Sequence, residues 1–274
     1  MRFRAGGVRF SVEPDTRLFP SEREAMGRLE RDTDDDRQQP VRVSLTDRPP
    51  WTSDDPATFP QGEPAVLWWE GQRLLCRHRS FTAEIDPFEG RARLFRREER
   101  AFPLEAVIRA CMMTRLPLLG GLPFHAAGVV MKGKGVVFFG PSGAGKTTVA
   151  AASPFPVLSD ELVAVAPGRP FELVRSGFWG ERAGGERVGS APLALLVDLA
   201  RGPRLSFTRL FASRALGRVL ASVPVPLAPS LWSRVLAVGA ELVDRVPVCR
   251  MEWSPAEPPW EALGLLLEDL SPRT

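Results

Sequence analysis

Apolar and polar residues alternate with a period of two in six short stretches of the first hundred residues: Val8 to Val12, Val41 to Leu45, Val66 to Trp69, Arg73 to Arg77, Thr82 to Ile85 and Ala92 to Phe95. A two-residue period sends successive side chains to opposite faces of an extended chain, so these stretches predict an antiparallel sheet, with a helix near Ser21 to Arg31. The acidic run Asp32 to Asp36 and the proline-rich stretch Pro49 to Pro64 predict exposed loops between them. From Leu104 to Leu116 the apolar residues recur at helical spacing, and the turn Leu119-Gly120-Gly121-Leu122-Pro123 follows. That helix reads as the bridge between a smaller mainly-β α+β module over residues 1–100 and an α/β module over residues 101–274.

In the second module two apolar runs, Ala126 to Met131 and Gly135 to Phe139, flank the turn Lys132-Gly133-Lys134 and predict a β-hairpin. Downstream, Val157 to Val165 and Leu193 to Leu199 predict buried strands. Thr208 to Ser222 and Trp260 to Leu270 predict helices.

The second hairpin strand runs directly into Gly140-Pro141-Ser142-Gly143-Ala144-Gly145-Lys146-Thr147, a full match to G-x-x-x-x-G-K-[ST], and Thr148 to Ala152 continue as a helix. A loop that wraps a phosphate turns its backbone N–H groups inward and takes up positive φ, which side chains obstruct; hence the glycines. The helix that follows contributes a favourable N-terminal dipole. Gly140 to Thr148 are thus the candidate nucleotide-binding residues, with Lys146 on the β and γ phosphates and the Thr147 hydroxyl on a magnesium ion.

Composition narrows the field. Hydrophobic residues at 44% and charged residues at 25% are those of a folded globular protein, and a formal charge of +3 set against 36 basic and 33 acidic residues does not point to a nucleic-acid partner. The only lysines are Lys132, Lys134 and Lys146, so a lysine-bearing motif is hard to meet by chance in this chain. Cys76, Cys111 and Cys249 show no metal-ligand spacing and imply a reducing compartment. With only His78 and His125, a multi-histidine zinc site is excluded. No signal-peptide core or membrane span is evident, and the expectation is a cytoplasmic protein without a membrane partner.

A phosphate loop needs an acidic partner to steer magnesium, and two candidates compete. Asp198 closes the apolar run Ala194 to Asp198, whereas Asp160 and Glu161 lie fourteen and fifteen residues beyond Lys146, after a helix cut short by Ser153-Pro154-Phe155-Pro156. The segments Phe124 to Val129, Gly135 to Thr148 and Val157 to Leu162, with Gly177 to Glu181 and Val246 to Cys249, resemble the HPr kinase/phosphorylase family, whose fold is akin to that of ATP-dependent phosphoenolpyruvate carboxykinase. The likeness is nearer to the HPr-kinase-like proteins found beside ribosomal peptide natural-product genes, including lasso-peptide kinases. It covers roughly Leu104 to the C-terminus.

The resemblance implies an HPr kinase C-terminal-like P-loop domain and a kinase that uses ATP, or another nucleoside triphosphate, with Mg2+. It implies that Asp160 is the catalytic base, that Glu161 and Asp160 help Thr147 hold magnesium, and that His125 and Lys146 assist catalysis. It also leaves Asp198 as a strand terminus. Glu181, in a glycine-rich stretch expected to be a mobile loop, is a candidate for a further magnesium or acceptor contact; Arg182, Arg187 and Arg204 are candidate sources of positive charge, although arginine is so abundant that a plain surface role is the expectation for any single one. The implied partner is a peptide or protein bearing a serine hydroxyl, with a homo-oligomer left open; the N-terminal sheet, outside the resemblance, is a candidate docking surface for it. The chain lacks the arginine- and glycine-rich signature segment of true HPr kinases, so HPr as target, a hexamer and the reverse reaction are not implied. Hydrolysis without an acceptor, transfer to a small-molecule hydroxyl, and nucleotide binding without chemistry remain alternative readings.

Overall fold

A computed structural model of the chain describes residues 1–31, 38–51, 64–178, 189–226 and 228–270. Among the described residues it is a mixed α/β protein with two eight-stranded sheets and six α-helices. The chain divides into two units, Met1–Leu118 with Val225–Leu231, and Leu119–Pro224 with Trp232–Thr274.

The first unit contains β1 (Arg2–Ala5), β2 (Val8–Glu13), α1 (Pro20–Gly27), β3 (Glu30–Arg31), β4 (Val41–Leu45), β5 (Val66–Glu70), β6 (Arg73–His78), β7 (Phe81–Asp86), β8 (Arg91–Arg96) and α2 (Phe102–Leu118). Its sheet runs in the order β3-β1-β2-β4-β8-β7-β6-β5. The six expected strands are present, yet the sheet is mixed rather than antiparallel, because β4 pairs parallel with both β2 and β8. Parallel neighbours need a crossover, which α1 supplies before β4 and the β5–β7 meander supplies after it.

The first helix stops at Gly27 instead of reaching Arg31. Glycine is a poor helix interior residue, and Glu30 and Arg31 are recruited to pair with β1. At its start the fully buried Glu22 accepts the Phe19 N–H at 3.0 Å and an ion pair from Arg96.

The helix α2 buries Leu104, Val107, Ile108, Cys111, Met112 and Leu116 and packs on α1, β2, β7 and β8. At roughly 1.5–3 kcal/mol per large apolar side chain, that face ties the helix to the first sheet. The division therefore falls at Leu118/Leu119 and not near residue 100.

The second unit continues with β9 (Leu122–Met131), β10 (Lys134–Phe139), α3 (Lys146–Ala151), β11 (Val157–Ser159), β12 (Leu162–Ala166), β13 (Glu172–Val174), β14 (Ser190–Arg201), β15 (Ser206–Arg209), α4 (Ala212–Leu220), α5 (Pro229–Arg245), β16 (Val248–Trp253) and α6 (Trp260–Asp269). The expected hairpin is β9–β10, closed by Lys132 and Gly133 at φ 50° and 75°, the two left-handed positions of a type I′ turn. Sheet order is β10-β9-β12-β13-β14-β16-β15, with the eighth strand β11 paired to β9, and β10 also pairs parallel with β14.

One face of this sheet buries Val136, Phe138, Val197, Leu199, Cys249 and Met251 against Val149 and Ala150 of α3 and Trp260, Leu263 and Leu267 of α6. Alternation along each strand puts exactly that set on a single side.

Three expectations change here. The run Val157 to Val165 is not one strand but two, β11 and β12, separated by Asp160 and Glu161. Thr208 and Arg209 belong to β15, pairing with Arg250 and Cys249, so the following helix begins at Ala212. Asp198 lies inside β14, which runs on to Arg201, rather than at its end. The helix α5 and the strands β13 and β16 were not anticipated. Among the described residues no helix is long and apolar enough to cross a membrane.

Candidate functional site

The loop from Gly140 to Gly145 joins β10 to α3 with Gly140, Gly143 and Gly145 at φ 150°, 77° and 101°. Its shape depends on its neighbours as much as on its own glycines. A Cβ at Gly140 would lie 2.9 Å from the Leu199 carbonyl oxygen, and one at Gly145 would lie 3.1 Å from the Trp253 ring. Lys146 is buried at 7% exposure, and its ammonium donates to the carbonyls of Gly140 at 3.0 Å and Pro141 at 3.1 Å. Burial lowers its pKa from the usual lysine value, since the charged form loses hydration. Pro141, Ser142 and Gly143 are exposed, Thr147 is half-buried and Thr148 is exposed.

The acidic pair sits at the bend between β11 and β12, two strands that both pair antiparallel with β9. Ser159 shapes that bend: its hydroxyl accepts the N–H of Glu161 at 3.2 Å and of Leu162 at 3.1 Å and donates to the Phe178 carbonyl at 2.7 Å. Ser176 adds bonds to the Leu162 carbonyl and from the Phe178 N–H, so the chain entering the glycine-rich stretch is fastened beside the acidic turn. Asp160 is buried at 3% exposure and Glu161 is half-buried.

Strand register brings these parts to one end of the sheet. The Ala126 N–H donates to the Glu161 carbonyl at 3.1 Å, Ala126 pairs with Phe139, Phe139 pairs with Asp198, and Asp198 pairs with Arg250. Phe139 is the residue before the glycine loop. With strands about 4.8 Å apart, the backbone of the acidic turn lies two spacings, about 10 Å, from the last residue of β10. His125 pairs with Leu162 one position along from that row. Its side chain is exposed while Phe124 and Ala126 are buried, and alternation with Ala127, Val129 and Met131 assigns it to the α3 face. Its N–H donates to the Ser222 carbonyl at 2.9 Å, just beyond α4.

Asp198 is the nearer carboxylate by register, but its bonds are already made. Arg218 of α4 grips it with Nε on Oδ2 at 2.8 Å and Nη2 on Oδ1 at 2.7 Å, and Arg250 approaches Oδ2 at 3.5 Å. The side chain is 1% exposed. That hydrogen bond to the carboxylate raises the Arg218 pKa against the opposing effect of burial. A cation at this carboxylate would have to displace a two-pronged guanidinium from a buried site, a loss of several kcal/mol. Asp198 therefore fastens α4 to the sheet.

Among the described residues no three His, Cys, Asp or Glu side chains gather into a group that could hold a metal by itself. Magnesium needs no such group, because it takes one or two carboxylates and completes its shell with water and phosphate oxygens. The loop with Gly140, Gly143 and Gly145 at positive φ, and the lysine bonded to its Gly140 and Pro141 carbonyls, fit a phosphate chain. Thr147, Asp160 and Glu161 are oxygen donors of the type magnesium takes.

Glu181, Arg182 and Arg187 lie outside the described residues. Arg204 is in the turn before β15. Sequence reasoning missed Ser159 and Ser176, which carry no motif, and Arg201, whose Nε donates to the Gly143 carbonyl at 2.9 Å.

No protein-family model matches the chain, and no curated protein matches it. Fold and site together define it as a mixed α/β protein whose second sheet gathers, at one end, a glycine-rich loop with a buried lysine and a pair of acidic residues.

Proposed function

We propose that the chain is an ATP-dependent kinase of the HPr-kinase-like type that transfers the γ-phosphoryl group to a serine-type hydroxyl of a peptide or protein. The observation that carries this reading is the register that lines up the acidic turn, His125 and the end of the glycine loop across adjacent strands.

The roles follow from position. The backbone N–H groups of Gly140 to Thr148 hold the phosphates, and Lys146 neutralises charge on the β and γ groups. Thr147, Glu161 and Asp160 would hold magnesium, which would supply charge compensation on the phosphate oxygens. Asp160 takes the proton of the serine hydroxyl as its oxygen attacks the γ phosphorus; the bond from that phosphorus to the bridging oxygen breaks, and ADP leaves with the electron pair. His125, exposed on the loop's face, is placed to donate a hydrogen bond to the transferring group. Such a site works by positioning and electrostatics rather than by covalent chemistry. A setting in peptide natural-product modification and a cytoplasmic location belong to the same proposal.

The test incubates γ-labelled ATP and a serine-containing peptide with wild-type protein and with Asp160→Asn. We expect label in the peptide with the wild type and almost none with the variant, which still binds nucleotide. Full transfer by the variant removes Asp160 from the base role. Phosphate release with no labelled peptide would favour hydrolysis instead.

A further inference from the structure

The geometry points to Arg201 as a positioning residue of the nucleotide site: it fixes the apex of the glycine loop from a neighbouring strand. This inference rests on the reading of that loop as a phosphate cradle.

Arg201 is the last residue of β14, and in the β14–β16 register its partner is Trp253. The two act on the same loop at different points. The Trp253 ring lies against Gly145 at the base, where an added Cβ would come within 3.1 Å of it, and the Arg201 Nε bonds the Gly143 carbonyl at the apex at 2.9 Å. A third contact, the Leu199 carbonyl beneath Gly140, comes from the same strand as Arg201. Leu199 and Trp253 belong to the face that packs on α3, and alternation puts Arg201 on that face as well.

Within the loop itself, the apex is closed by one backbone bond, from the Ala144 N–H to the Pro141 carbonyl at 3.2 Å. Gly143 stands at φ 77°, is exposed, and an added Cβ there would meet nothing within 4 Å. A glycine in open space samples many backbone conformations, and a cradle whose N–H groups wander must order them each time a phosphate binds. A hydrogen bond from a cation to the Gly143 carbonyl holds the peptide plane between Gly143 and Ala144 from its other side, opposite the bond from the Ala144 N–H to the Pro141 carbonyl. The guanidinium also sets a positive charge beside the loop, and only its Nε is used on Gly143, so its planar fork keeps donors available to a phosphate oxygen. Arg204, the described arginine that the sequence offered for such a role, has no comparable contact with the loop.

The experiment compares wild type, Arg201→Ala, Arg201→Lys and Lys146→Ala. MgATP affinity is read with a fluorescent analogue, loop order by hydrogen exchange of the 141–145 amides without nucleotide, and stability by thermal unfolding. We expect Arg201→Ala to weaken affinity about tenfold, the equivalent of about 1.4 kcal/mol, to speed exchange in the loop, and to leave the melting temperature unchanged. Arg201→Lys, whose ammonium can still reach the carbonyl, should recover most of both losses. A purely structural role would move the melting temperature along with the affinity and would overturn the proposal. Wild-type affinity or wild-type loop exchange in Arg201→Ala would also overturn it, with Lys146→Ala still abolishing binding. If the wild type itself binds no nucleotide, the functional reading fails and this one fails with it.

Discussion

Replacing Arg218 with alanine separates the two carboxylates that competed for the metal-binding role. The substitution leaves Asp198, 1% exposed, with only the 3.5 Å approach of Arg250 in place of bonds at 2.7 and 2.8 Å. Stranding one partner of a buried ion pair costs about 3–5 kcal/mol, and the remaining Arg250 and the partly exposed guanidinium argue for the lower end, about 3 kcal/mol. For a domain of 150–250 residues this corresponds to a fall of about 6–12 °C in melting temperature. Hydrogen exchange of β10 and β14 amides localises the effect to the second unit. In a double-mutant cycle with Asp198→Asn, the coupling should exceed about 1 kcal/mol, as for residues in direct contact. Asp198→Asn should keep a magnesium-dependent affinity for ATP. A loss below about 1 kcal/mol in Arg218→Ala, the size of an exposed pair, would refute the clamp, as would recovery of its stability by magnesium alone.

Other perturbations have equally definite outcomes. Arg96→Ala strands the fully buried Glu22, whose Oε1 already lacks a hydrogen-bond partner, and should cost about 3–5 kcal/mol in chemical denaturation. Gly145→Ala forces a side chain to φ 101° and to within 3.1 Å of the Trp253 ring. The backbone strain alone is of order 1–3 kcal/mol, and ATP binding measured by titration calorimetry should be lost. Affinity for ATP should fall as pH rises through the lowered pKa of Lys146, since only the ammonium pairs with phosphate, and the fall should start below the usual lysine value. The Lys146→Arg variant should show no such fall. Finally, Cys76 is buried and its pKa is pushed up to about 12, and Cys111 and Cys249 are buried and raised in the same direction. A thiol reagent at neutral pH should therefore modify the three only after unfolding.

Local patterns carried much of the fold. The period-two stretches, the Lys132-Gly133 turn and the strand running into Gly140 are signals contained within a few residues, and each element formed where its pattern lay. The parallel pairing of β4 with β2 and β8 was not legible, because pairing direction depends on residues far apart in the chain. The break at Asp160 and Glu161 was hidden for a related reason. The run Val157 to Val165 is apolar on both sides of the pair, and the bend comes from Ser159, whose hydroxyl takes two backbone N–H groups of the turn. For the site, the glycine loop was legible from its motif, whereas spacing left Asp198 and the acidic pair as rivals and only the family resemblance singled out the pair. The Arg218 clamp on Asp198 and the Arg201 bond to Gly143 join residues twenty and fifty-eight positions apart and left no mark in either segment.

The most direct test of a shared pocket for the glycine loop and the acidic turn is the magnesium dependence of ATP binding, measured by calorimetry with magnesium and with a chelator. Wild-type protein should bind ATP more tightly with magnesium, and the double variant Asp160→Asn, Glu161→Gln should bind it equally with and without the metal. A double variant that keeps the full magnesium dependence would place the metal elsewhere and contradict the assignment of the acidic turn to the nucleotide site.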